Sequence, residues 1–475
     1  MTNPASNWLD DLLSFQAAEW DGPDRRGLIE NVTEAVEQDF EWGLDLADEL
    51  GRTEKWDTDL WSTLIHAWSR MELDEDKYRK VLNWLGKVEL HPKHNREIAS
   101  ALYTLLREDR SSYALNLLPQ AKEIAAALWN HLDQIELIGE GDDWLRIAFD
   151  SPASDLSNFW LYGFSLWRQH QDPTPTVLSG AYREALSDIV EKQSLSSKLG
   201  RTVLASQFAF LLAVDETWTL DNLLPLFAPD NADFQAAWDG FVNQGHLNPA
   251  VADVMAAAFL KAVERINNEL FNQRDRFIKY YIGMFEYLAE DPLHRWIPKF
   301  FQYAGQGHPS GTDDHTLFRR DVPETVDYFA SEVGSRLRRM NEVEQQEWWQ
   351  HWLKRYWENR LNGIPATLEA GEVARMLNWL PHLTSIFPEA VELAVQMPRE
   401  PLQRCRVIAT LGKSDLWKKH PESVTELLIY LWKCNLPGYS WYLAEDLIDN
   451  LLSLDISPTL KKELEEIKVQ LLPMQ

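Results

Sequence analysis

The sequence predicts an all-α fold: an irregular α-solenoid in which helical hairpins stack as a HEAT-like superhelix. Three observations predict it. Apolar residues recur at spacings of three and four almost throughout. Many prolines stand where a helix should begin, at positions where the missing N–H costs nothing. No run alternates apolar and polar residues, and no Asn-Gly or Asp-Gly turn joins β-branched runs. The pattern implies roughly 18 to 22 helices of about 10–20 residues joined by short loops. Antiparallel helices with short connections form hairpins, and stacked hairpins form a superhelix. A strict repeat period is missing.

In chain order, Leu60, Trp61, Leu64, Ile65 and Trp68 form one helical face. Similar faces are Leu82–Leu85–Val88, Ile98–Leu102–Leu105–Leu106 and Leu204–Phe208–Leu211–Leu212. Pro323, Pro388, Pro421 and Pro458 each mark a helix start, and Asn341 with Glu344 resembles a capping box. Gly51, Gly363 and Gly412 read as residues just past a helix end. One echo stands out: Leu82-Asn83-Trp84-Leu85 returns as Leu377-Asn378-Trp379-Leu380. Four regions follow: an acidic helical region over 1–245, central helices over 246–304, a Gly-rich loop over 305–322 and a C-terminal helical domain over 323–475.

Composition narrows the function classes. The chain has 475 residues, 45% hydrophobic, too apolar for a disordered chain. No apolar run reaches the ~18 residues of a membrane span. The N-terminus lacks a basic flank and an apolar stretch, so secretion is not expected. Only Cys405 and Cys434 are present, which fits a reducing cytoplasm and no disulfide framework. Net charge is −28, which argues against a general nucleic-acid binder. The charge is uneven: residues 1–60 hold 16 acids against 4 bases, whereas 271–360 is close to neutral. The acidic region is either a solubilising surface or a docking face for a basic partner, DNA mimicry being a narrow form of the latter.

Candidate chemistry is sparse. His91 and His94 lack the two further ligands a zinc site needs. Asp313, Asp314 and His315, in the Gly-rich loop, could bind a metal or do acid–base work. The same residue types also build ordinary solvated turns. No phosphate loop and no nucleophile elbow occurs, and Cys405 has no nameable His partner. Arg319, Arg320, Arg336, Arg338 and Arg339 form the densest basic group, fitted to an acidic partner or to intramolecular carboxylates.

The 22 tryptophans demand a reason. On an ideal wheel, Trp348, Trp349, Trp352, Leu353, Tyr356 and Trp357 cover an arc of ~180°, with the polar residues opposite. The bases therefore lie away from the rings, which favours core packing over a stacking platform for single strands. Arg360 is the exception. It falls on the aromatic face and should find a carboxylate or stack on a ring.

These residues also carry a resemblance. Trp352, Tyr356-Trp357, Arg360, Gly363-Ile364-Pro365, Glu372, Met376, Trp379-Leu380-Pro381-His382-Leu383 and Phe387-Pro388-Glu389-Ala390-Val391-Glu392-Leu393 resemble an uncharacterised C-terminal helical domain of bacterial sirtuin-like antiphage defence proteins. The likeness covers 323–399, or 275–399 at its widest. In that family a sirtuin-like domain consumes NAD and the helical part senses or regulates. This chain has no Gly-Ala-Gly nucleotide motif and no βαβ alternation, so the NAD chemistry does not carry over. The resemblance implies a sensor piece of a longer protein, or a stand-alone protein whose effector is another chain. The expected function is a non-enzymatic, protein-binding sensor or scaffold without a cofactor. Its partner would be a phage protein or a defence effector, with Arg360 and the five arginines above as candidate contacts. A metal-dependent hydrolase or nuclease using residues 312–315, and an acidic nucleic-acid mimic, are the alternatives.

Overall fold

The computed structural model describes residues 4–15, 24–106, 111–132, 143–304, 322–399, 402, 405–434, 441 and 444–471. Among them the secondary structure is entirely helical. The all-α expectation therefore holds. Several helices are shorter than the expected length of about 10–20 residues, such as Trp144–Phe149, Phe208–Val214 and Glu216–Asn222. The face through Leu204 and Leu212 is buried, but it is shared between two helices, Leu195–Ser206 and Phe208–Val214. The chain forms two compact units, Met1–His246 and Leu247–Gln475.

In the first unit, short polar side chains start the helices. Asp24, Asp39, Asp74, Ser151 and Asp215 each accept a hydrogen bond from a first-turn N–H that the helix itself cannot satisfy. The Leu60–Trp68 face is buried as expected. The face through Leu82 and Leu85 stops short of Val88, which is exposed because the helix Glu75–Leu85 has already ended. Leu195–Ser206 crosses Phe234–Gln244 at Gly240, where an added Cβ would lie 2.1 Å from the Thr202 carbonyl oxygen. Beside this crossing, buried Arg201 pairs with Asp233 at 2.7 Å. Its Nη1 also donates to the carbonyls of Ile189, Val190 and Lys192, so it closes the end of the helix Gly180–Glu191.

In the second unit, the Asn341–Glu344 capping box is complete. Glu344 N–H donates to Asn341 Oδ1 at 3.1 Å, and Asn341 N–H donates to Glu344 Oε2 at 2.8 Å. Gly363 ends the helix Lys354–Leu361 at φ +70°, with Ile364 N–H donating to Asn359 O and Gly363 N–H to Arg360 O. Gly412 also stands just past its helix, Val407–Leu411, though with a right-handed backbone, whereas Gly51 lies inside Phe40–Arg52. The sequence echo is not a structural one either: Leu82–Leu85 ends a helix, whereas Leu377–Leu380 runs from the end of Ala370–Leu377 into a 3-10 turn.

Candidate functional site

The aromatic segment runs through Glu342–Trp348, a single π turn at Trp349–Leu353, and Lys354–Leu361. Trp348, Trp349, Trp352, Leu353, Tyr356 and Trp357 are all buried, while Gln350, His351 and Arg355 are exposed. Core packing is thus their role. Trp379 sits edge-on to Trp357 and donates through Nε1 to the Ala330 carbonyl at 2.7 Å.

Arg360 meets both expectations at once. It is 2% exposed, as is Glu372. Its Nε donates to Glu372 Oε1 at 2.8 Å and its Nη2 to Oε2 at 2.6 Å, the two-pronged geometry that a guanidinium offers a carboxylate. Nη1 donates to the carbonyls of Ala366 at 2.5 Å and Ile364 at 3.2 Å. The Phe301 ring centroid lies 4.7 Å from the guanidinium carbon. Tyr356 completes the cluster by donating its hydroxyl to Glu372 Oε1 at 2.8 Å. Burial pulls the Arg360 guanidinium down, and Glu372 more than offsets this, holding it above its ordinary value. Burial and the Glu372 charge push the Tyr356 hydroxyl well up. The group is an ordered structural anchor, with its polar atoms directed at one another.

The other arginines divide. Arg336 is mostly covered; it pairs with Glu286 and Glu332 and donates to the Lys279 carbonyl at 2.9 Å. Arg339 reaches Glu332 at 3.5 Å, and Arg338 is exposed. Burial is the main cause that raises Glu332, with Arg336 and Arg339 opposing it. Arg319 and Arg320 lie outside the described residues, as do Asp313, Asp314 and His315 with the Gly-rich loop. His91 and His94 serve packing. His91 Nε2 donates to the Leu85 carbonyl at 2.9 Å, while His94 bonds Ser62 Oγ and the Trp56 carbonyl. Burial lowers the His91 imidazole. Among the described residues no group of three or more His, Cys, Asp or Glu is placed to hold a metal ion, and no helix is long and apolar enough to cross a membrane.

One surface feature of this unit was not singled out from the sequence. The helix Pro421–Lys433 packs against Phe387–Ala394 and against Pro458–Leu471. Above it lies an open cleft of about 520 Å³. Glu426, Ile429, Tyr430 and Lys433 come from its base, at spacings of three and four that place them on one face. Glu392, Val395, Gln396 and Arg399 form one wall with the same spacing, and Leu460 and Glu463 form the other. The cleft is mixed in charge, with three carboxylates and two bases, of which Lys433 and Glu463 pair at 3.1 Å. Burial, then Glu422 and Glu392, raises Glu426. Tyr430 is spent inward, donating to the Pro398 carbonyl at 3.1 Å. The spacing alone could have flagged these residues, but any helix carries such stripes until its neighbours are known.

Residues 328–453 match a family described as a domain of unknown function, DUF4020. The match takes in the Arg360 cluster and most of the cleft, and it ends short of Leu460 and Glu463. It runs beyond residue 399, where the likeness read from the sequence stopped. No curated protein and no solved structure matches the chain.

Proposed function

We propose that this chain is a non-enzymatic protein-binding sensor or regulatory module of bacterial antiphage defence, acting in the cytoplasm with an effector domain or subunit outside the chain. The observation that carries the reading is the open cleft over Pro421–Lys433, within and beside the segment of family likeness. It combines apolar positions with charges of both signs, the makeup of a peptide-binding groove. The link to defence rests on the resemblance of the 323–399 segment to sirtuin-like antiphage proteins. The partner is a phage protein or the defence effector itself. The covered ion pairs of this unit, Arg360–Glu372 and Arg336–Glu286, serve the fold, leaving recognition to the surface.

The test is phage challenge of cells carrying the native gene cluster, with Val395→Arg or Glu426→Lys in the cleft. Loss of protection, with an unchanged melting curve of the purified protein and loss of one partner in crosslinking, is the expected result. Protection that survives both substitutions would overturn the reading. So would turnover of NAD or nucleic acid by the purified chain.

A further inference from the structure

The first unit holds a second slot, built like the cleft just described but different in its lining. The helices Ser111–Trp129 and Gly180–Glu191 both pack on Pro152–Gln169 and leave a trough of about 600 Å³ between them. Its walls carry alanines, exposed Ala126 on one side and exposed Ala181 with half-buried Ala185 on the other. Short side chains let another backbone approach closely. Trp129 and Trp160 form the floor, each only a few per cent exposed, so they offer a sliver of apolar surface rather than a cage for a small cation.

The rim is mainly anionic, with three carboxylates against one base. Glu123 and Glu184 line it and form no ion pair among the described residues. Asp188 is already paired with Lys192 at 2.8 Å. The single base of the trough, Lys122, leans over the Tyr182 ring at 4.8 Å. The trough is therefore apolar at its base and anionic above, in a chain of net charge −28.

We propose that this slot docks an amphipathic helix of a partner protein whose apolar side chains are flanked by Lys or Arg. The inference rests on the protein-binding reading above and adds a second place and a ligand chemistry. Apolar side chains of the incoming helix settle on the tryptophan floor between the alanines. Its bases reach Glu123 and Glu184, which would repel an acidic segment.

The probe is a random-peptide display library selected against the full chain. The expected selection is enriched in peptides with Lys or Arg beside apolar residues three and four apart. Their binding falls at least about tenfold in Ala185→Arg and in the Glu123→Lys/Glu184→Lys pair, a loss of about 1.4 kcal/mol, and weakens as salt rises. Melting curves check both variants; the exposed rim pair serves if Ala185→Arg does not fold. No enrichment, an acidic consensus, or undiminished binding to the variants would overturn the proposal. Sedimentation showing a dimer that Ala185→Arg dissolves would also overturn it, making the occupant a second copy. Peptides that bind while ignoring these substitutions refute the slot alone and leave the protein-binding reading standing.

Discussion

Glu372→Ala is the sharpest perturbation that the second unit offers. The carboxylate takes three hydrogen bonds, from Arg360 Nε, Arg360 Nη2 and the Tyr356 hydroxyl. Removing it leaves the guanidinium tethered to the Ile364 and Ala366 carbonyls, buried and without a counter-charge. Breaking a buried pair in this way costs about 3–5 kcal/mol. In a unit of this size each kcal/mol moves Tm by about 2–4 °C, so a fall on the order of 10 °C is expected. Urea unfolding followed by tryptophan fluorescence reads the change, because Trp357 and Trp379 stand close to the cluster. Tyr356→Phe removes one of the three bonds and should cost about 1 kcal/mol. Arg360→Met with Glu372→Met removes both charges and should cost less than the two single changes added, by about 2 kcal/mol. A Glu372→Ala protein within about 1 kcal/mol of wild type, or strict additivity in the double variant, would refute the reasoning.

Three further outcomes are expected. Burial, opposed by Arg96, raises Asp155 to about 6. A raised carboxyl destabilises the fold fully above pH 6, and that cost fades as pH falls toward its unfolded value near 4. Asp155→Asn should therefore stabilise at pH 7.5 by about 1 kcal/mol after allowance for partial exposure, with the gain shrinking toward pH 4 in parallel melts. Gly240→Ala places a methyl against the Thr202 carbonyl and should destabilise the first unit by about 1–3 kcal/mol, read by urea unfolding. Burial pushes the Cys405 thiol up to about 11 and also raises Cys434. Both should resist iodoacetamide at pH 8 in the native protein and react in urea, as intact mass will show.

What was legible in the sequence were features set by a few neighbouring residues. The Asn341–Glu344 box, the Gly363 stop and the aromatic arc depend on spacing along one helix, and all three are present. Arg360 was legible because a charge on an aromatic face must find a partner inside. Gly51 misled because a glycine near a helix end can sit equally well within the helix. Arg201 escaped notice: its acceptors and Asp233 come from segments before and after it, joined only by tertiary packing. Both clefts escaped for the same reason, since each needs three helices to be placed before its lining exists.

The alanine and carboxylate positions of the first-unit trough carry little of the fold's weight. Ala126, Ala181, Glu123 and Glu184 face solvent, whereas Trp129 and Trp160 beneath them are locked into the interior. Selection can therefore rewrite the rim one residue at a time while the floor stays fixed. If the trough docks a partner, related chains should keep the tryptophans and diversify the residues above them, and the ratio of change at the two sets of positions would record that docking.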